Sequence, residues 1–328
     1  MEYRILGKTG FKVSEISLGT WQVGGGWGGS FDEKEASKII NSAIDEGVNF
    51  LDTADVYDDG ASEHAVGKVL KERSEEIYVA TKCGRQINPH VSEGYTPTVL
   101  RAYVEASLKN MQLETLDLIQ LHCPPTKVFY RDEIFELFDR LKEEGKIRHL
   151  GVSVEKVEEA MQALKYPNVS TVQIIFNMFR QKPLEEFFGA AQENNIGIIA
   201  RVPLASGLLS GKMDTSSTFD KNDHRDFNRN GEAFDKGETF SGVDFETGLQ
   251  AVEELKPVFG GSYSLASWAL RWILMFDQVS TVIPGASRVE QVLSNVKAGQ
   301  LAQLNADQMN KVKEVYNNYI KASVHQLW

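Results

Sequence analysis

Eight short apolar runs recur along the chain, and they constrain its fold more than any other feature. In chain order they are EISLGT, NFLDTA, IYVATK, LDLIQLH, HLGVSV, VQIIFN, IGIIARV and STVIPG. They are rich in Val, Ile and Leu and mostly lack the alternation of a half-buried strand, which is typical of parallel strands buried on both faces. The sequence therefore predicts eight buried strands of a parallel sheet.

Segments with helical spacing separate the apolar runs. In one of them Ile134, Leu137, Phe138 and Leu141 place an apolar stripe along one side of a helix. Eight strand–helix repeats can close into a barrel or form an open doubly wound sheet, and periodicity does not separate the two. The count of eight favours a (β/α)8 TIM barrel, which is an α/β fold.

Local signals at the ends of these segments support the same assignment. Asp32 can cap a helix with Glu35 three residues on, and Thr96 precedes Pro97 at a first helical position. No linker rich in Pro, Gly and Ser divides the chain, so we expect a single domain over residues 1–328.

Two segments lie outside the repeats. The stretch YRILGKTGFKVS predicts a short β-hairpin around Lys8, Thr9 and Gly10 that could plug the N-terminal face of the barrel. Residues 213–245, after the seventh predicted strand, form a long segment rich in Asp, Asn, Gly, Ser and Thr. A structureless stretch of this length is uncommon in a compact domain, so we expect a lid, with a flexible loop as the alternative.

Charge and composition argue against several classes of protein. The net charge of -11 opposes binding to nucleic acid or an anionic membrane, which clustered Lys and Arg would drive. No stretch approaches the ~18 consecutive apolar residues of a membrane span, and no signal peptide is evident, so we expect a cytoplasmic location. Cys83 and Cys123 lack the spacing of metal ligands or of a disulfide framework. We expect no metal site and two packed, reduced thiols.

Four polar residues follow predicted strands at the ends where barrel enzymes hold their active sites. Asp52, Lys82 and His122 lie at or just past the C-terminal ends of three strands, and Tyr57 lies on the loop after the second strand. Singly, each suits a structural role as a cap, a surface lysine, a loop residue or a packed ring. Together they suit proton transfer, because an ammonium near a phenol lowers the tyrosine pKa and a carboxylate would hold that ammonium in place.

Ordered motifs extend this pattern over nearly the whole chain. They are DTADVY, VATK, LIQLH, GVS, GLLSGK and IPGAS, preceded by the opening stretch RILGKTGFKVSEISLGT. In order and spacing they resemble the aldo-keto reductase superfamily, on its bacterial and potassium-channel-β-like side. The resemblance implies a NADP-dependent oxidoreductase that reduces aldehydes or ketones to alcohols on a (β/α)8 barrel.

The resemblance also assigns roles to the four polar residues. Tyr57 would protonate the carbonyl oxygen as general acid while hydride arrives from the nicotinamide. Lys82, paired with Asp52, would tune the phenol. His122 would orient the carbonyl or share the proton.

The resemblance further implies a nicotinamide cofactor site along several strand ends. The residues assigned to the nicotinamide and its ribose are Gly19, Thr20, Trp21, Asp52, Ser153 and Gln173. Those assigned to the pyrophosphate are Leu204, Ser206, Gly207, Leu208, Ser210 and Lys212, and those at the adenosine end are Gly285, Ser287, Arg288, Gln291 and Asn295. Arg288, beside a hydroxyl and a predicted helix start, suits a 2′-phosphate, so NADPH is favoured over NADH. No GxGxxG follows the first strand, which argues against a Rossmann-type site.

Two positions depart from the family pattern. Arg201 or Val202 falls where many members place an aromatic residue under the nicotinamide ring. The Arg201 guanidinium could stack on or hydrogen-bond to the cofactor, and the alternative is an ordinary surface arginine. Val154 follows GVS where relatives commonly have asparagine, so one carboxamide contact is expected to be missing while Ser153 remains available.

Two other functions fit parts of the pattern. One is a regulatory subunit that binds NADPH, turns over slowly and senses the redox state, since such a subunit would share these motifs. A Schiff-base barrel would use Lys82 as nucleophile, but an adjacent Asp52 raises the lysine pKa and argues against it.

The substrate depends on variable loops rather than on the four polar residues. Candidates for an aromatic pocket are Trp21, Trp27, Tyr95, Phe129 and Tyr130, and the glycine-rich stretch VGGGWGGS could move over it. The expected partner is a small carbonyl compound. The sequence leaves the physiological substrate, the reaction direction and the oligomeric state open.

Overall fold

The computed structural model describes residues 1–25, 30–259 and 262–328. Trp27 and much of the glycine-rich stretch therefore lie outside the described residues. The strands are β1 (Tyr3–Ile5), β2 (Lys12–Ser14), β3 (Leu18–Gly19), β4 (Phe50–Asp52), β5 (Tyr78–Cys83), β6 (Leu116–His122), β7 (Ile147–Val154), β8 (Val169–Ile175), β9 (Gly197–Arg201) and β10 (Val279–Val282). The α-helices are α1 (Glu33–Asp45), α2 (Ala61–Glu72), α3 (Pro97–Met111), α4 (Asp132–Glu143), α5 (Val157–Ala163), α6 (Phe187–Glu193), α7 (His224–Phe227), α8 (Phe245–Leu255), α9 (Leu265–Ile273), α10 (Val289–Lys297), α11 (Ala306–Val315) and α12 (Lys321–Val324).

Among the described residues, the eight strands β3 to β10 form one parallel sheet in sequential order. The sheet curls until its edge strands meet. Parallel bridges join Ile16 to Val282 and Gly19 to Gly285, and the Ser17 amide donates to the Val282 carbonyl at 2.9 Å. The expected (β/α)8 barrel is confirmed, and the C-terminal ends of β3 to β10 form the mouth at which the site is built.

The predicted N-terminal hairpin is also present. β1 and β2 pair antiparallel, and a 3-10 turn at Gly7–Thr9 connects them. Hairpin side chains share an apolar cluster with inward-facing strand residues: Leu6, Phe11, Val13, Phe50, Tyr78, Ala80, Leu118, Ile199 and Ile283. The hairpin therefore buries apolar surface against the barrel at the end opposite the mouth.

The helices begin where the sequence signals place them. Asp32 Oδ1 accepts hydrogen bonds from the amides of Lys34 and Glu35, and Thr96 Oγ1 accepts from the Val99 amide. The predicted stripe of α4 is buried at Ile134, Leu137, Phe138 and Leu141. Among the described residues, no helix has the length and apolar content that crossing a membrane requires.

Residues 213–245 contain local helical structure rather than none. They include α7 and two 3-10 turns, Lys236–Glu238 and Phe240–Gly242. Ser206 Oγ, just beyond β9, donates to the Glu238 carbonyl at 2.9 Å and accepts from the Phe240 amide at 3.1 Å. The segment is thus attached to the mouth, and its action as a lid stays a prediction.

Candidate active site

A buried ion pair lies at the centre of the mouth. Lys82 Nζ donates to Asp52 Oδ2 at 2.6 Å, to the Thr53 carbonyl at 2.8 Å and to the Tyr57 hydroxyl at 3.2 Å. The side chains of Lys82 and Asp52 are only 1% and 2% exposed. Carboxylate, ammonium and phenol therefore form one continuous chain of contacts from β4 and β5.

Two glutamines complete the surroundings of Asp52. Its Oδ1 accepts from Gln120 Nε2 at 3.0 Å and from Gln173 Nε2 at 2.7 Å. The family resemblance assigns Gln173 only to the nicotinamide, and its Oε1 accepts from Ser153 Oγ at 3.5 Å. Sequence reasoning missed Gln120, although a polar residue inside LDLIQLH, two positions before His122 and hence on the same strand face, was a usable signal.

His122 lies across from Tyr57 at the end of β6. The two rings are edge to face, with their centroids 6.1 Å apart. Burial, together with the positive charges of Lys82, Arg85 and Arg201, holds the pKa of His122 well below its usual range. The imidazole is therefore neutral at neutral pH, and orienting a carbonyl by hydrogen bonding suits it better than donating a proton as imidazolium.

The tyrosine pKa moves in the direction opposite to the one expected. Burial raises the pKa of Tyr57 above its ordinary value, the Lys82 charge opposes this, and Asp52 adds to the rise. The ammonium lowers the pKa as expected, but desolvation of the phenolate outweighs it, so the net direction is upward. A phenol that keeps its proton is the form a general acid needs.

Lys82 is held as an ammonium. Burial by itself lowers the pKa of Lys82, but the Asp52 charge and the hydrogen bonds with Asp52 and Tyr57 outweigh it, so the net direction is upward. An amine nucleophile must be unprotonated. The ion pair therefore disfavours the Schiff-base alternative.

Arg201, at the end of β9, is not a surface arginine. It is 8% exposed, and its Nη2 donates to Cys123 Sγ at 3.3 Å and to the Val154 carbonyl at 3.2 Å. Its Nη1 lies 3.2 Å from Glu238 Oε1, an acceptor that the sequence did not point to. The guanidinium thus links the ends of β6, β7 and β9 to the 236–242 turns.

Cys123, Glu155 and Glu238 place their ligand atoms within 4.8 Å of one another. Burial raises the pKa of the Cys123 thiol to about 12, and the positive charge of Arg201 opposes this rise. Arg201 contacts both the sulfur and the Glu238 carboxylate. This donor set suits the guanidinium rather than a metal ion.

The residues assigned to the pyrophosphate follow β9. Ser206 and Gly207 adopt positive φ angles of 55° and 96° inside the 3-10 turn Ala205–Ser210. Lys212 is exposed, and its amide donates to Ser210 Oγ at 3.3 Å. Leu208 is fully buried in the core, and Ser206 Oγ is engaged by the 236–242 turns, so neither side chain is free to bind a pyrophosphate in this structure.

The residues assigned to the adenosine end follow β10. Gln291 Oε1 accepts from the amide and the hydroxyl of Ser287 at 2.7 and 3.1 Å, and Asn295 Nδ2 donates to the Gly285 carbonyl at 3.3 Å. Arg288 is exposed at the N-cap position of α10. An exposed guanidinium at a helix N-terminus is a favourable place for a phosphate.

The residues assigned to the ribose side follow β3, which neighbours β10 in the closed barrel. Thr20 Oγ1 donates to the Asp52 carbonyl at 3.1 Å, and the Trp21 ring lies 5.2 Å from that of His224 in the 213–245 segment. Gly19 lies so close to β10 that an added Cβ would be 3.0 Å from the Ile283 carbonyl oxygen. The ends of β3, β9 and β10 thus bring these three groups of residues together.

The candidate aromatic pocket is not assembled as a unit. Tyr95 and Phe129 are fully buried, and the Tyr95 hydroxyl is 2.8 Å from His90 Nε2. Tyr130 is 56% exposed. Two of these three rings therefore lie in the core and the third lies on the surface.

The mouth has polar groups that fit a nicotinamide and a carbonyl substrate. His122 Nδ1 and Arg201 Nε are buried and have no hydrogen-bond partner in the described protein. Buried polar atoms are normally paired, so a polar ligand at the mouth would satisfy them. Ser153 and Gln173 are bonded to each other nearby, with Gln173 Nε2 also bonded to Asp52, and Arg288 offers a cation at the far end.

Comparison with known sequences gives the family. The sequence profile of the Aldo/keto reductase family matches residues 15–317. The chain belongs to the aldo/keto reductase family. It is thus an oxidoreductase of a family that uses a nicotinamide cofactor and acts on carbonyl compounds, and the resemblance found in the sequence is confirmed.

Relatives of this aldo/keto reductase cover it almost end to end. The uncharacterized oxidoreductase YqkF of Bacillus subtilis is 31% identical over 95% of this chain and 96% of its own. A probable voltage-gated potassium channel subunit beta of Arabidopsis thaliana is 30% identical over 91% of each. The NADH-specific methylglyoxal reductase of Escherichia coli is 28% identical over 92% of this chain and 94% of its own.

A solved structure supports the same fold. The glycerol dehydrogenase AKR11B4 from Gluconobacter oxydans has a TM-score of 0.79 and 30% identity, and the match covers 97% of this chain and 96% of that one.

Proposed function

We propose that this aldo/keto reductase uses NADPH to reduce aldehydes or ketones to alcohols, with Tyr57 as general acid. The observation that carries the proposal is the contact chain from Asp52 through Lys82 Nζ to the Tyr57 hydroxyl, buried at the end of the barrel where such enzymes hold their sites. When bound, the nicotinamide supplies the hydride.

Each residue of this site has a distinct task. Tyr57 holds its proton, because burial raises its pKa, and delivers it to the carbonyl oxygen. Lys82 faces that hydroxyl as an ammonium and stabilises the phenolate that proton transfer leaves behind. Asp52, fixed by two glutamine amides, keeps Lys82 charged.

His122 completes the proton-transfer site. Its neutral imidazole would hydrogen-bond the carbonyl oxygen from the side opposite Tyr57. Removing that hydrogen bond would misplace the carbonyl relative to the phenol, which lowers the rate of the chemical step.

The preference for NADPH rests on Arg288. Its exposed guanidinium at the start of α10 would form charge-assisted hydrogen bonds with a 2′-phosphate. One relative is a NADH-specific enzyme, so both reduced cofactors belong in the test. The names of the methylglyoxal reductase and the glycerol dehydrogenase support a small, oxygen-rich substrate.

The test is oxidation of NADPH and of NADH with a panel of small aldehydes and ketones, comparing wild type with Tyr57→Phe. We expect turnover with NADPH to fall roughly 10²-fold or more in Tyr57→Phe, because the proton donor is removed while the ring remains. Tyr78→Phe is the matched control, since Tyr78 lies at the opposite end of the barrel against Phe11.

The outcomes separate the alternatives. Turnover that survives Tyr57→Phe would refute the assigned proton donor. Tight NADPH binding with no reduction of any carbonyl compound would refute the reductase in favour of a regulatory subunit. Faster turnover with NADH would overturn the role of Arg288.

A further inference from the structure

Two buried arginines at or beside the mouth, Arg201 and Arg180, are held by protein partners, although Arg201 Nε and Arg180 Nη1 have none among the described residues. Arg201 is paired with Glu238 and donates to two further acceptors. Arg180 donates to the Glu155 carbonyl, and its guanidinium lies 3.9 Å from the ring centroid of Trp328. Arg201 is 8% exposed and Arg180 is 1% exposed.

Arg85, which follows β5, makes longer hydrogen bonds and is more exposed than Arg201 and Arg180. Its Nη1 is 3.4 Å from the Cys123 carbonyl and 3.5 Å from Glu155 Oε1, both at the outer limit for a hydrogen bond. Its side chain is 20% exposed. Within residues 1–25, 30–259 and 262–328, no acceptor lies within hydrogen-bond distance of its Nε and Nη2, and the Phe234 ring centroid is 6.0 Å from its Cζ. Most of its five N–H donors therefore remain available.

Glu155 compensates Arg85 only in part. Burial, with the negative charges of Glu238 and Asp235, raises the pKa of Glu155 to about 8, which weakens its negative charge near neutral pH. Glu238 also acts on the charge of Arg85, but its carboxylate is paired directly with Arg201. Among the described residues, the carboxyl oxygen within 4.0 Å of the Arg85 guanidinium is that of Glu155, at 3.5 Å.

The position of Arg85 places this charge beside the reacting groups. It follows Lys82 by three residues and contacts the residue after His122. Its charge also contributes to the lowered pKa of His122. The residues assigned to the cofactor phosphates follow β9 and β10, on the other side of the barrel from β5. An anion at Arg85 would thus belong to the substrate rather than to the cofactor.

We propose that Arg85 binds an anionic group of the substrate, so that the favoured substrates are small aldehydes or ketones carrying a carboxylate or a phosphate. This proposal rests on the carbonyl reductase function proposed above. The guanidinium fork matches both anions in geometry and forms charge-assisted hydrogen bonds with either. The carbonyl would then lie between Tyr57 and His122, with the anion displaced toward β5.

The test compares matched substrates that differ in the anionic group. One pair is succinic semialdehyde against butyraldehyde, and the other is glyceraldehyde 3-phosphate against glyceraldehyde. The measured quantity is the ratio of kcat/KM for the charged member to that for the neutral member. We expect wild type to favour the charged member in one pair, which identifies the anion, and Arg85→Gln to lower that ratio at least about tenfold.

Two variants control for structure and for general charge. Arg85→Lys keeps the charge without the fork and should retain part of the preference. Arg148→Gln removes an exposed arginine that pairs with Asp117 near the opposite end of β7, and should leave the ratio unchanged. An equal ratio in wild type and Arg85→Gln overturns the proposal.

Cofactor binding provides the remaining discrimination. If Arg85→Gln raises the dissociation constant of NADPH by the same factor as it lowers the kcat/KM ratio, the arginine binds the cofactor and the proposal is wrong. If wild type reduces no carbonyl compound, the proposed function fails, and titration with glutarate tests Arg85 separately. Glutarate binding that is lost in Arg85→Gln would support the anion site, and equal binding would refute it.

Discussion

At the scale of single residues, Asp55 is a buried carboxyl whose pKa is raised by its surroundings. It is 5% exposed, and neither of its carboxyl oxygens has a hydrogen-bond partner among the described residues. Burial, followed by the charge of Glu63, raises the pKa of Asp55 to about 7. Because its pKa in an unfolded chain is about 4, the folded protein binds the extra proton between about pH 4 and 7. Stability should therefore fall as the pH rises through that window.

The variant Asp55→Asn tests this assignment by thermal unfolding. An amide does not titrate, so the stability of Asp55→Asn relative to wild type should increase from about pH 5 to about pH 8, by about 2–4 kcal/mol. The exposed Asp277 gives the control variant Asp277→Asn, which should show no such trend. A difference between Asp55→Asn and wild type that stays constant with pH would contradict the raised pKa.

At the scale of elements, residues 236–242 are fastened to the strand ends by a small set of bonds. Glu238 pairs with Arg201, Ser206 bonds to the backbone on both sides of Thr239, and Asn177 Nδ2 donates to Ser241 Oγ at 2.9 Å. An opening of this segment would have to break these contacts. The Glu238–Arg201 pair is the contact that a single substitution weakens most, because it leaves the charge of a buried guanidinium without its carboxylate.

We expect Glu238→Gln to loosen residues 236–242 and to lower the free energy of unfolding by roughly 1.5–3 kcal/mol. Hydrogen exchange should increase at the amides of this segment, since local opening no longer breaks a charged contact. Glu232 lies four residues before this segment and is exposed, with its carboxylate bonded only to Asn230 among the described residues, so Glu232→Gln is the matched control. Unchanged exchange in Glu238→Gln would mean that the ion pair does not fasten the segment.

At the scale of the whole molecule, closure of the barrel depends on few contacts between its first and last strands. β3 meets β10 through isolated bridges rather than a long ladder. Arg4, in the hairpin, donates to the carbonyls of Leu274, Phe276 and Val279 and to Glu15, at 2.8 to 3.3 Å. One guanidinium thus ties the start of the chain to the last strand–helix repeat.

Arg4→Ala should lower the free energy of unfolding by about 2–4 kcal/mol, measured with denaturant, because it leaves buried carbonyls and the 3% exposed Glu15 without their donor. Arg4→Lys retains the charge but cannot reach several carbonyls at once, so an intermediate loss is expected. A loss within about 0.5 kcal/mol in Arg4→Ala would show that the strand bridges close the barrel alone.

The sequence by itself determined the eight strands, the capped helix starts and the placement of Asp52, Lys82 and His122 at strand ends. These features depend on hydrophobic periodicity and turn chemistry, which act between near neighbours in the chain. Because parallel strands end at the same edge, strand ends also predicted which polar groups would meet. The ordered motifs also identified the family, because they lie at those strand ends.

Only the tertiary structure decided how the charges of the site are balanced. Gln120 and Gln173 share Asp52, Glu238 reaches Arg201 from the segment expected to be a lid, and burial raises rather than lowers the pKa of Tyr57. Pairing and desolvation depend on packing between residues far apart in the chain, and the same packing leaves Arg85 with spare donors. No local pattern in the sequence carries that information, because a charged side chain looks the same in sequence whether it is paired, free or buried.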